Sequence, residues 1–281
     1  MIKVDLHTHS NASDGVLTPR ELVLRAKENG VQVLSLTDHD TTSGLNEAMA
    51  AARESSLTFI PGIELSTIHN GESVHLLGFF KDESYKNQEF QDYLFELKDY
   101  RLNRGRKIVD NLKKYFDIDI PYDEVLKRGK GVVARPHIAD TIIACGYPYT
   151  KEVIFEKFLS DSSPAYVKNK KISVPEGISL LKKYNAAVFL AHPILIRKTP
   201  IKYFTEFDFD GFEAIYFLSK KEQSKKLIKL CLEKNLLISA GGDFHGDLEG
   251  DTKHGDLGLT EIPKEYLDKF LAHMKVKMNF F

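Results

Sequence analysis

Short apolar segments alternate with longer amphipathic segments along most of the chain. This alternation predicts repeated strand–helix units. Residues 2–6 form the first apolar segment, and a capping box that starts at Thr18, with Pro19 at the first helical position, predicts where the first helix begins. Asn29 and Gly30 predict where that helix ends. Further strands are predicted at residues 33–36, 58–61, 74–80, 187–191, 211–216 and 237–240.

The amphipathic segments between these strands predict the connecting helices. A second capping box, which starts at Ser173, marks the beginning of one of them. Because such crossovers join parallel strands, we expect a parallel sheet that is closed, or nearly closed, into a barrel. Active sites of these barrels lie at the carboxyl ends of the strands. The later helices are predicted at residues 45–53, 176–184, 220–234 and 264–274.

The alternation is interrupted between residues 82 and 170, where only helices are predicted. We therefore predict a helical insertion at residues 82–170, contributing to the substrate site, within a barrel made of residues 1–81 and 171–281. Its first helix has a basic face, which suits a nucleic-acid backbone and equally a solvated helix face. That face carries Arg101, Arg104, Arg106 and Lys107. The predicted helices are residues 88–115, 122–127, 135–145 and 151–159.

Composition places the chain among globular proteins. It has 281 residues, of which 42% are hydrophobic and 28% charged, and its formal net charge of −1 gives no overall basic field for bulk nucleic-acid binding. Cys145 and Cys231 lie far apart and are expected to be reduced. The sequence shows no signal peptide and no membrane-spanning segment, so we expect a cytoplasmic protein. No obligate protein partner is evident.

Histidines and carboxylates follow the first predicted strand. His7 and His9 are two residues apart, and in extended backbone their imidazoles point to the same face and can reach one ion. Two surface histidines at a strand end are the ordinary alternative. Asp14 follows in a turn before Gly15, where an aspartate often serves the turn alone.

Similar groups follow the next strands. His39 lies between Asp38 and Asp40, one of which could instead cap a helix. Glu64 could bridge two cations or be a solvated charge. His75 lies in an apolar segment, where a lone histidine is more often a core or edge residue than a metal ligand.

The same pattern returns near the carboxyl terminus. His192 ends an apolar strand, and Asp243 and His245 follow two glycines that permit close backbone approach. Each cluster has an ordinary structural explanation by itself. The barrel, however, brings nearly all of these side chains to one rim, and imidazoles with carboxylates are what a multinuclear metal site needs.

Together these motifs resemble those of the polymerase and histidinol phosphatase (PHP) family over nearly the whole chain. The resemblance implies a distorted (β/α)7 TIM-like barrel, the PHP fold, with a helical insertion domain. It also implies two to three divalent metal ions, for which a mixed nitrogen and oxygen ligand set suits Mn²⁺, Fe²⁺ or Zn²⁺. The motifs are His7-Thr8-His9-Ser10, Asp14-Gly15, Thr37-Asp38-His39-Asp40, Glu64, His75, Ala191-His192-Pro193 and Gly242-Asp243-Phe244-His245.

The family pattern further implies which residues share each ion. One ion would be held by His7, His9, Glu64 and Asp243. A second would be held by Glu64, His75 and His192. A third would be held by Asp14, His39 and His245. We treat Asp38, Asp40 and Glu213 as residues that orient these ligands.

Such a centre is suited to phosphate-ester hydrolysis. Two cations about 3.5–4 Å apart clamp a phosphoryl group and supply hydroxide at neutral pH. We expect a metal-bridging hydroxide to attack phosphorus in line, with the third ion neutralising another phosphate oxygen. The residues proposed as catalytic are Arg135, His137 and Asp243.

Substrate contacts are expected from a second set of side chains. The guanidinium of Arg135 can bind phosphate with two hydrogen bonds. His137 could contact phosphate or protonate the leaving oxygen. A helix-start arginine and a solvated histidine are the ordinary alternatives. Lys168 and Arg197 are weaker phosphate-binding candidates.

The segment from Ala134 to His137, within a helical insertion, resembles the TrpH/YciV-like subgroup of stand-alone PHP phosphoesterases. That likeness implies removal of the 3′-phosphate of nucleoside 3′,5′-bisphosphates, or 5′-to-3′ trimming of short 5′-phosphorylated RNA. A phosphorylated nucleotide or short oligonucleotide is therefore the expected partner. Two alternatives stay open. The first is a histidinol-phosphatase-type monoesterase, and the segment from Arg135 to His137 argues against it. The second is a non-catalytic metal-binding accessory module, and the complete ligand set argues against that.

Overall fold

The structure is a computed structural model that describes residues 1–129, 133–168, 172–246 and 255–276. The chain divides into two compact units. The barrel unit comprises Met1–Gln91 and Lys171–Phe281, and the helical unit comprises Asp92–Lys170. Residues 82–91, which the sequence assigned to the insertion, thus belong to the barrel unit. The expected second boundary, between residues 170 and 171, lies outside the described residues.

The early boundary has a local cause. The side-chain amide of Asn185 donates to Asp82 Oδ2 at 2.7 Å, and the hydroxyl of Ser84 donates to the carbonyl of Tyr184. These bonds tie the segment after the fourth strand to the end of a barrel helix.

The strands curve into a nearly closed barrel, in agreement with the predicted fold class. They follow the order β1–β2–β3–β4–β6–β7–β8. The backbone N–H of Leu6 donates to the carbonyl of Ala240 at 3.0 Å, which brings β8 beside β1. The short β5 pairs with β3, and β9 pairs antiparallel with β1. The strands are β1 Ile2–Asp5, β2 Val33–Leu36, β3 Thr58–His69, β4 Glu72–Phe80, β5 Ile172–Ser173, β6 Ala186–Leu190, β7 Gly211–Tyr216, β8 Leu237–Gly241 and β9 Glu261–Ile262.

Strand β4 departs from the expected parallel sheet, since it runs antiparallel to both β3 and β6. The cause is the turn Asn70-Gly71, where both residues have positive φ (47° and 70°). Asn-Gly with this geometry is the preferred two-residue hairpin turn. As a result, the beginning of β4 lies at the rim where the neighbouring strands end. This explains why His75 comes early in its strand and still lies at that rim.

Nine α-helices, together with short 3-10 and π-helical segments, connect these strands or form the helical unit within the described residues. Thr18 and Ser173 form the predicted capping boxes at the starts of α1 (Pro19–Glu28) and α7 (Val174–Lys183). No helix in the described ranges combines the length and apolar character that a membrane-spanning segment needs. The helices are α1 Pro19–Glu28, α2 Leu45–Glu54, α3 Gln88–Phe116, α4 Tyr122–Arg128, α5 Arg135–Ala144, α6 Lys151–Val153, α7 Val174–Lys183, α8 Lys221–Glu233 and α9 Lys264–Met274.

The helical unit has a hydrophobic core of its own. Ile108 and Leu112 contribute from α3, Ile138 and Ile142 from α5, and Ile154 begins the π-helical segment Ile154–Phe158 that follows α6. The helix predicted at residues 151–159 is therefore a short α-helix that continues as a π-helix. This core packs the helices of the unit against one another.

Candidate metal centre

Glu64 is the side chain on which the polar cluster converges. It is fully buried in β3. Its Oε2 lies 3.4 Å from His7 Nε2 and 3.3 Å from His9 Nε2. Its Oε1 lies 2.8 Å from His75 Nδ1 and 3.0 Å from His192 Nε2. One carboxylate therefore faces four imidazoles that three separate strands (β1, β4 and β6) bring to the same rim, which is the position a bridging ligand would occupy.

His39 and Asp14 extend the cluster on one side. His39 Nδ1 lies 2.8 Å from Glu64 Oε2, and His39 Nε2 lies 3.8 Å from Asp14 Oδ2. Asp14 Oδ1 lies 3.4 Å from His245 Nε2 and 3.8 Å from His9 Nδ1. The aspartate that precedes Gly15 therefore faces three imidazoles, beyond any role in its turn.

Asp243 completes the cluster on the side of β8. Its Oδ1 lies 3.3 Å from His7 Nε2 and 3.1 Å from His9 Nε2. The backbone reaches this position through Gly241, where an added Cβ would come 2.4 Å from His7 Cβ and 2.6 Å from Glu213 Oε1. A side chain at residue 241 would therefore displace the centre, and glycine is required there.

Three groups of side chains offer ligand atoms that lie within 4.8 Å of one another. The first group matches the grouping implied by the family pattern. The other two groups differ from it, because His9 joins the third group and His39 stands beside Glu64 and His75 in the second. His192 remains near Glu64, as its distance shows. The groups are His7 with His9, Glu64 and Asp243; His9 with Asp14, His39 and His245; and His39 with Glu64 and His75.

Several of these buried atoms fit a metal ion better than they fit one another. Within the described part of the chain, His7 Nε2, both ring nitrogens of His9, Glu64 Oε2 and Asp243 Oδ1 have no hydrogen-bond partner. Buried polar atoms without partners are costly and uncommon. These atoms converge on a shared space, and neutral imidazole with carboxylate is a suitable ligand set for a divalent cation.

The charges of the cluster are strongly coupled. Although burial alone would raise the pKa of Glu64, the imidazoles of His39 and His75 hold it well below its usual range. Burial, with help from His245 and His39, lowers the pKa of His9 to about 3, so its ring is neutral. Neutral imidazole and ionised carboxylate are the forms that bind metal.

The pKa of His39 moves in the other direction. Burial opposes its protonation, but Glu64 and Asp14 outweigh burial and raise the pKa to about 10. The carboxylates of this part of the cluster therefore favour a positive charge beside them. A proton on His39 supplies that charge in the protein alone, and a bound divalent cation would take its place.

Glu213, predicted to orient a ligand, contacts two of them. Its Oε1 lies 3.1 Å from His7 Nδ1, and its Oε2 accepts the backbone N–H of His192 at 2.7 Å. A proton on His7 Nδ1 leaves Nε2 as the ligand atom towards Glu64 and Asp243. Asp38 accepts the hydroxyls of Ser10 and Ser13, and Asp40 Oδ1 accepts the backbone N–H of Ser66 in β3 at 2.7 Å, so both carboxylates hold backbone segments beside the cluster.

Two supporting residues escaped the sequence-based prediction. The hydroxyl of Tyr216, at the end of β7, donates to Asp243 Oδ2 at 3.2 Å. Asp5 is fully buried at the end of β1 and accepts the backbone N–H of Gly242 at 2.9 Å. In the sequence, only their positions could have indicated these roles, because both residues end strands that lie beside the predicted cluster.

The substrate candidates fall in both units. Arg135, His137 and Lys168 belong to the helical unit, and Arg197 belongs to the barrel unit. Arg135 donates to Asp161 Oδ1 at 2.7 Å and to the carbonyl of Leu159 at 2.9 Å. The sequence did not distinguish Arg104 from its basic neighbours. Burial and the nearby guanidinium of Arg135 lower the pKa of Arg104.

Comparison with known proteins agrees with this geometry. Residues 5–134 match the PHP domain. A 5′-3′ exoribonuclease of Haemophilus influenzae is 34% identical over 249 residues, 86% of this chain and 90% of the relative. A 3′,5′-nucleoside bisphosphate phosphatase of Chromobacterium violaceum is 29% identical over 269 residues, 93% of this chain and 92% of the relative.

A solved structure extends the agreement to the fold. A Bifidobacterium adolescentis protein, provisionally described as a metal-dependent phosphoesterase, superimposes with a TM-score of 0.78 at 29% identity. The match covers 97% of this chain and 96% of that protein's chain. With the buried histidine and carboxylate groups, these likenesses show that the protein binds divalent metal and hydrolyses phosphate esters. The chain belongs to the PHP domain family of metal-dependent phosphoesterases.

Proposed function

We propose that the protein removes the 3′-phosphate of nucleoside 3′,5′-bisphosphates and trims short 5′-phosphorylated RNA in the 5′-to-3′ direction. The observation that carries this proposal is the match, over nearly the full length of both chains, to an exoribonuclease and to a bisphosphate phosphatase. The two activities have one chemistry in common. In both, a terminal 5′-phosphate can be anchored while the neighbouring 3′ phosphoester is hydrolysed.

Two to three divalent ions, Mn²⁺, Fe²⁺ or Zn²⁺, would be held by the nine clustered side chains. Bound there, the ions would polarise the phosphoryl group and lower the pKa of water towards about 7. Glu64 contributes to two of the groups and would be shared between ions. The ligands are His7, His9, Asp14, His39, Glu64, His75, His192, Asp243 and His245.

The protein's own residues hold this arrangement ready for substrate. Glu213 fixes the ring of His7 and the backbone of His192, which the family pattern assigns to different ions. Tyr216 fixes one oxygen of Asp243 and leaves Oδ1 to face His7 and His9. Asp243 thus acts in catalysis as a ligand whose direction is set by its neighbour. Such preorganisation avoids rearrangement when the transition state forms.

Arg135 would bind the 5′-phosphate, supported by Arg104. The two guanidiniums are close enough for Arg135 to lower the pKa of Arg104. Neighbouring cations favour an anion between them. In the protein alone, the carboxylate of Asp161 pairs with Arg135 and supplies that negative charge. A bound phosphate would accept hydrogen bonds from Arg135 either beside this carboxylate or in its place.

His137 would serve as a proton donor to the leaving oxygen or as a phosphate contact. Its Nδ1 accepts the backbone N–H of Ala134 at 3.3 Å, so the ring proton lies on Nε2. Nε2–H is then the group that can donate to an oxygen of the substrate. Lys168 and Arg197 would add positive charge for the phosphates.

The decisive experiment compares three substrates with metal-reconstituted protein. Adenosine 3′,5′-bisphosphate, a 5′-phosphorylated oligoribonucleotide and histidinol phosphate would be assayed with Mn²⁺, Fe²⁺ or Zn²⁺. We expect chelator-sensitive turnover of the first two and a far lower kcat/KM for the third. Preference for histidinol phosphate would replace the proposed substrate, and turnover unaffected by chelator would contradict the metal-dependent reaction.

A further inference from the structure

The helical unit contains an open cavity of about 500 Å³ along α3. Cavities of about 300–1,000 Å³ accommodate small organic ligands, so a single nucleotide fits this one. Its lining on α3 consists of two neighbouring ridges, each with residues four positions apart, which places them on one face of the helix. One ridge contains Phe95, Asp99, Asn103 and Lys107, and the other contains Glu96, Tyr100 and Arg104.

Two aromatic rings line this cavity. The ring of Phe95 is 71% exposed and takes no part in the hydrophobic core of the helical unit. The hydroxyl of Tyr100 donates to the carbonyl of Lys168 at 2.7 Å, which holds its ring in place. Exposed aromatic side chains are the groups on which bases of single-stranded nucleic acids stack.

The charged residues of the lining carry both signs, with Glu96 and Asp99 earlier on the helix and Arg104 and Lys107 later. Arg104 is fixed by its Nε, which donates to the carbonyl of Val167 at 2.8 Å, and Lys107 lies one turn further along the helix. Asn103 donates to Asp99 at 2.8 Å. Carboxylates and amides can hydrogen-bond to base edges, while the cations suit flanking phosphates. The carboxylates argue against a continuous phosphate track.

We infer that this cavity binds one nucleotide of a single-stranded RNA. The base stacks against Phe95 and Tyr100, and the adjoining phosphates contact Arg104 and Lys107. This inference rests on the proposed function, because it takes RNA as the ligand. Since every base offers a stacking face, binding is expected to depend little on sequence.

Binding can be measured without turnover. Fluorescence anisotropy with a labelled, 5′-phosphorylated, single-stranded oligoadenylate would be recorded in EDTA for the full chain. Phe95→Ala is expected to raise Kd about tenfold, because it removes one base–aromatic stack. Lys107→Ala is expected to reduce the slope of log K against log salt by about 0.7, the loss of one phosphate contact.

Two residues of the same helix provide matched controls. Tyr115 is 48% exposed and, like Lys114, does not line the cavity. Tyr115→Ala and Lys114→Ala are expected to leave RNA binding unchanged. Because Phe95 lies outside the core, its truncation should leave the circular dichroism spectrum as it is, and that spectrum is the folding check.

Equal RNA affinity of wild type and Phe95→Ala would overturn the inference. So would absence of RNA binding by wild type, or self-association that depends on Phe95 in sedimentation experiments. Failure of the proposed function is a separate result, namely no metal-dependent turnover of either nucleotide substrate. If the protein turns over its substrates but RNA binding does not depend on Phe95, only the inference about the cavity is wrong. If RNA binding depends on Phe95 but no substrate is turned over, only the proposed reaction is wrong.

Discussion

The barrel unit and the helical unit present their functional groups in different ways. Glu64 is fully buried at the rim of the barrel, where backbone pairing between strands fixes the direction of its neighbours. Arg135, by contrast, has a side chain 38% exposed near the start of α5 and is held by one carboxylate and one carbonyl. A buried centre is therefore expected to fail sharply when one ligand is lost, whereas an exposed binding group should change affinity by degrees.

The largest effect is expected from Glu64→Gln. The substitution removes the charge that faces His7, His9, His39, His75 and His192, so activity should fall on the order of 10³-fold or more. Metal content, measured by plasma mass spectrometry, should fall with it. Glu28→Gln, an exposed carboxylate of α1, is the matched control and should retain both. Full metal content and activity in Glu64→Gln would show that this carboxylate holds no ion.

A smaller loss is expected from Glu213→Gln. The amide keeps the shape of the side chain but weakens its hold on His7 Nδ1, and orienting partners of this type are worth about 10–100-fold in metal affinity. Competition with a fluorescent chelator would measure that affinity. If Glu213 acted only in packing, the metal affinity of the variant would equal that of wild type while its thermal stability changed.

Arg135→Ala should act on substrate binding in the helical unit. Loss of a charge-assisted hydrogen bond costs about 1.5–3 kcal/mol, so KM should rise roughly 10-fold or more for substrates with a 5′-phosphate. KM for a simple aryl phosphate should change much less. Arg128→Ala, an exposed arginine at the end of α4, provides the control. Equal changes for both substrates would remove Arg135 from the 5′-phosphate site.

The smallest effect is expected from Tyr216→Phe. This change deletes only the hydroxyl that donates to the carboxylate of Asp243, a bond worth about 1.5–3 kcal/mol. Because Asp243 keeps Oδ1 towards His7 and His9, only a fraction of that energy should appear in kcat. We expect a several-fold reduction of kcat with metal content preserved. Retained kcat together with retained metal affinity would show that Asp243 needs no such support.

The sequence predicts the clustering of the histidines and carboxylates better than it predicts the surroundings of the substrate candidates, for a physical reason. His7 and His9 follow a strand with fixed alternation, so their common face can be read from spacing alone. His75 required the resemblance, because the Asn70-Gly71 hairpin reverses β4 and brings the beginning of that strand to the rim. The turn signal was present in the sequence, but an all-parallel interpretation passed over it.

Residues that act through tertiary contacts were harder to find. Tyr216 and Asp5 reveal their roles only through partners far away in sequence, Asp243 and Gly242. Arg104 was one of several basic residues on a long helix, and only its proximity to Arg135 and the cavity sets it apart. Helical periodicity assigns a face of a helix, but it does not identify what that face meets.

The central claim is that side chains from the ends of separate strands hold a compact group of divalent ions. Anomalous diffraction from crystals of the Mn²⁺- or Zn²⁺-reconstituted protein tests it most directly. The account predicts two to three anomalous peaks within ligand distance of the clustered histidines and carboxylates, with Glu64 contacting two of them. Peaks placed elsewhere, or none at this rim in protein that is active with the same metal, would contradict it.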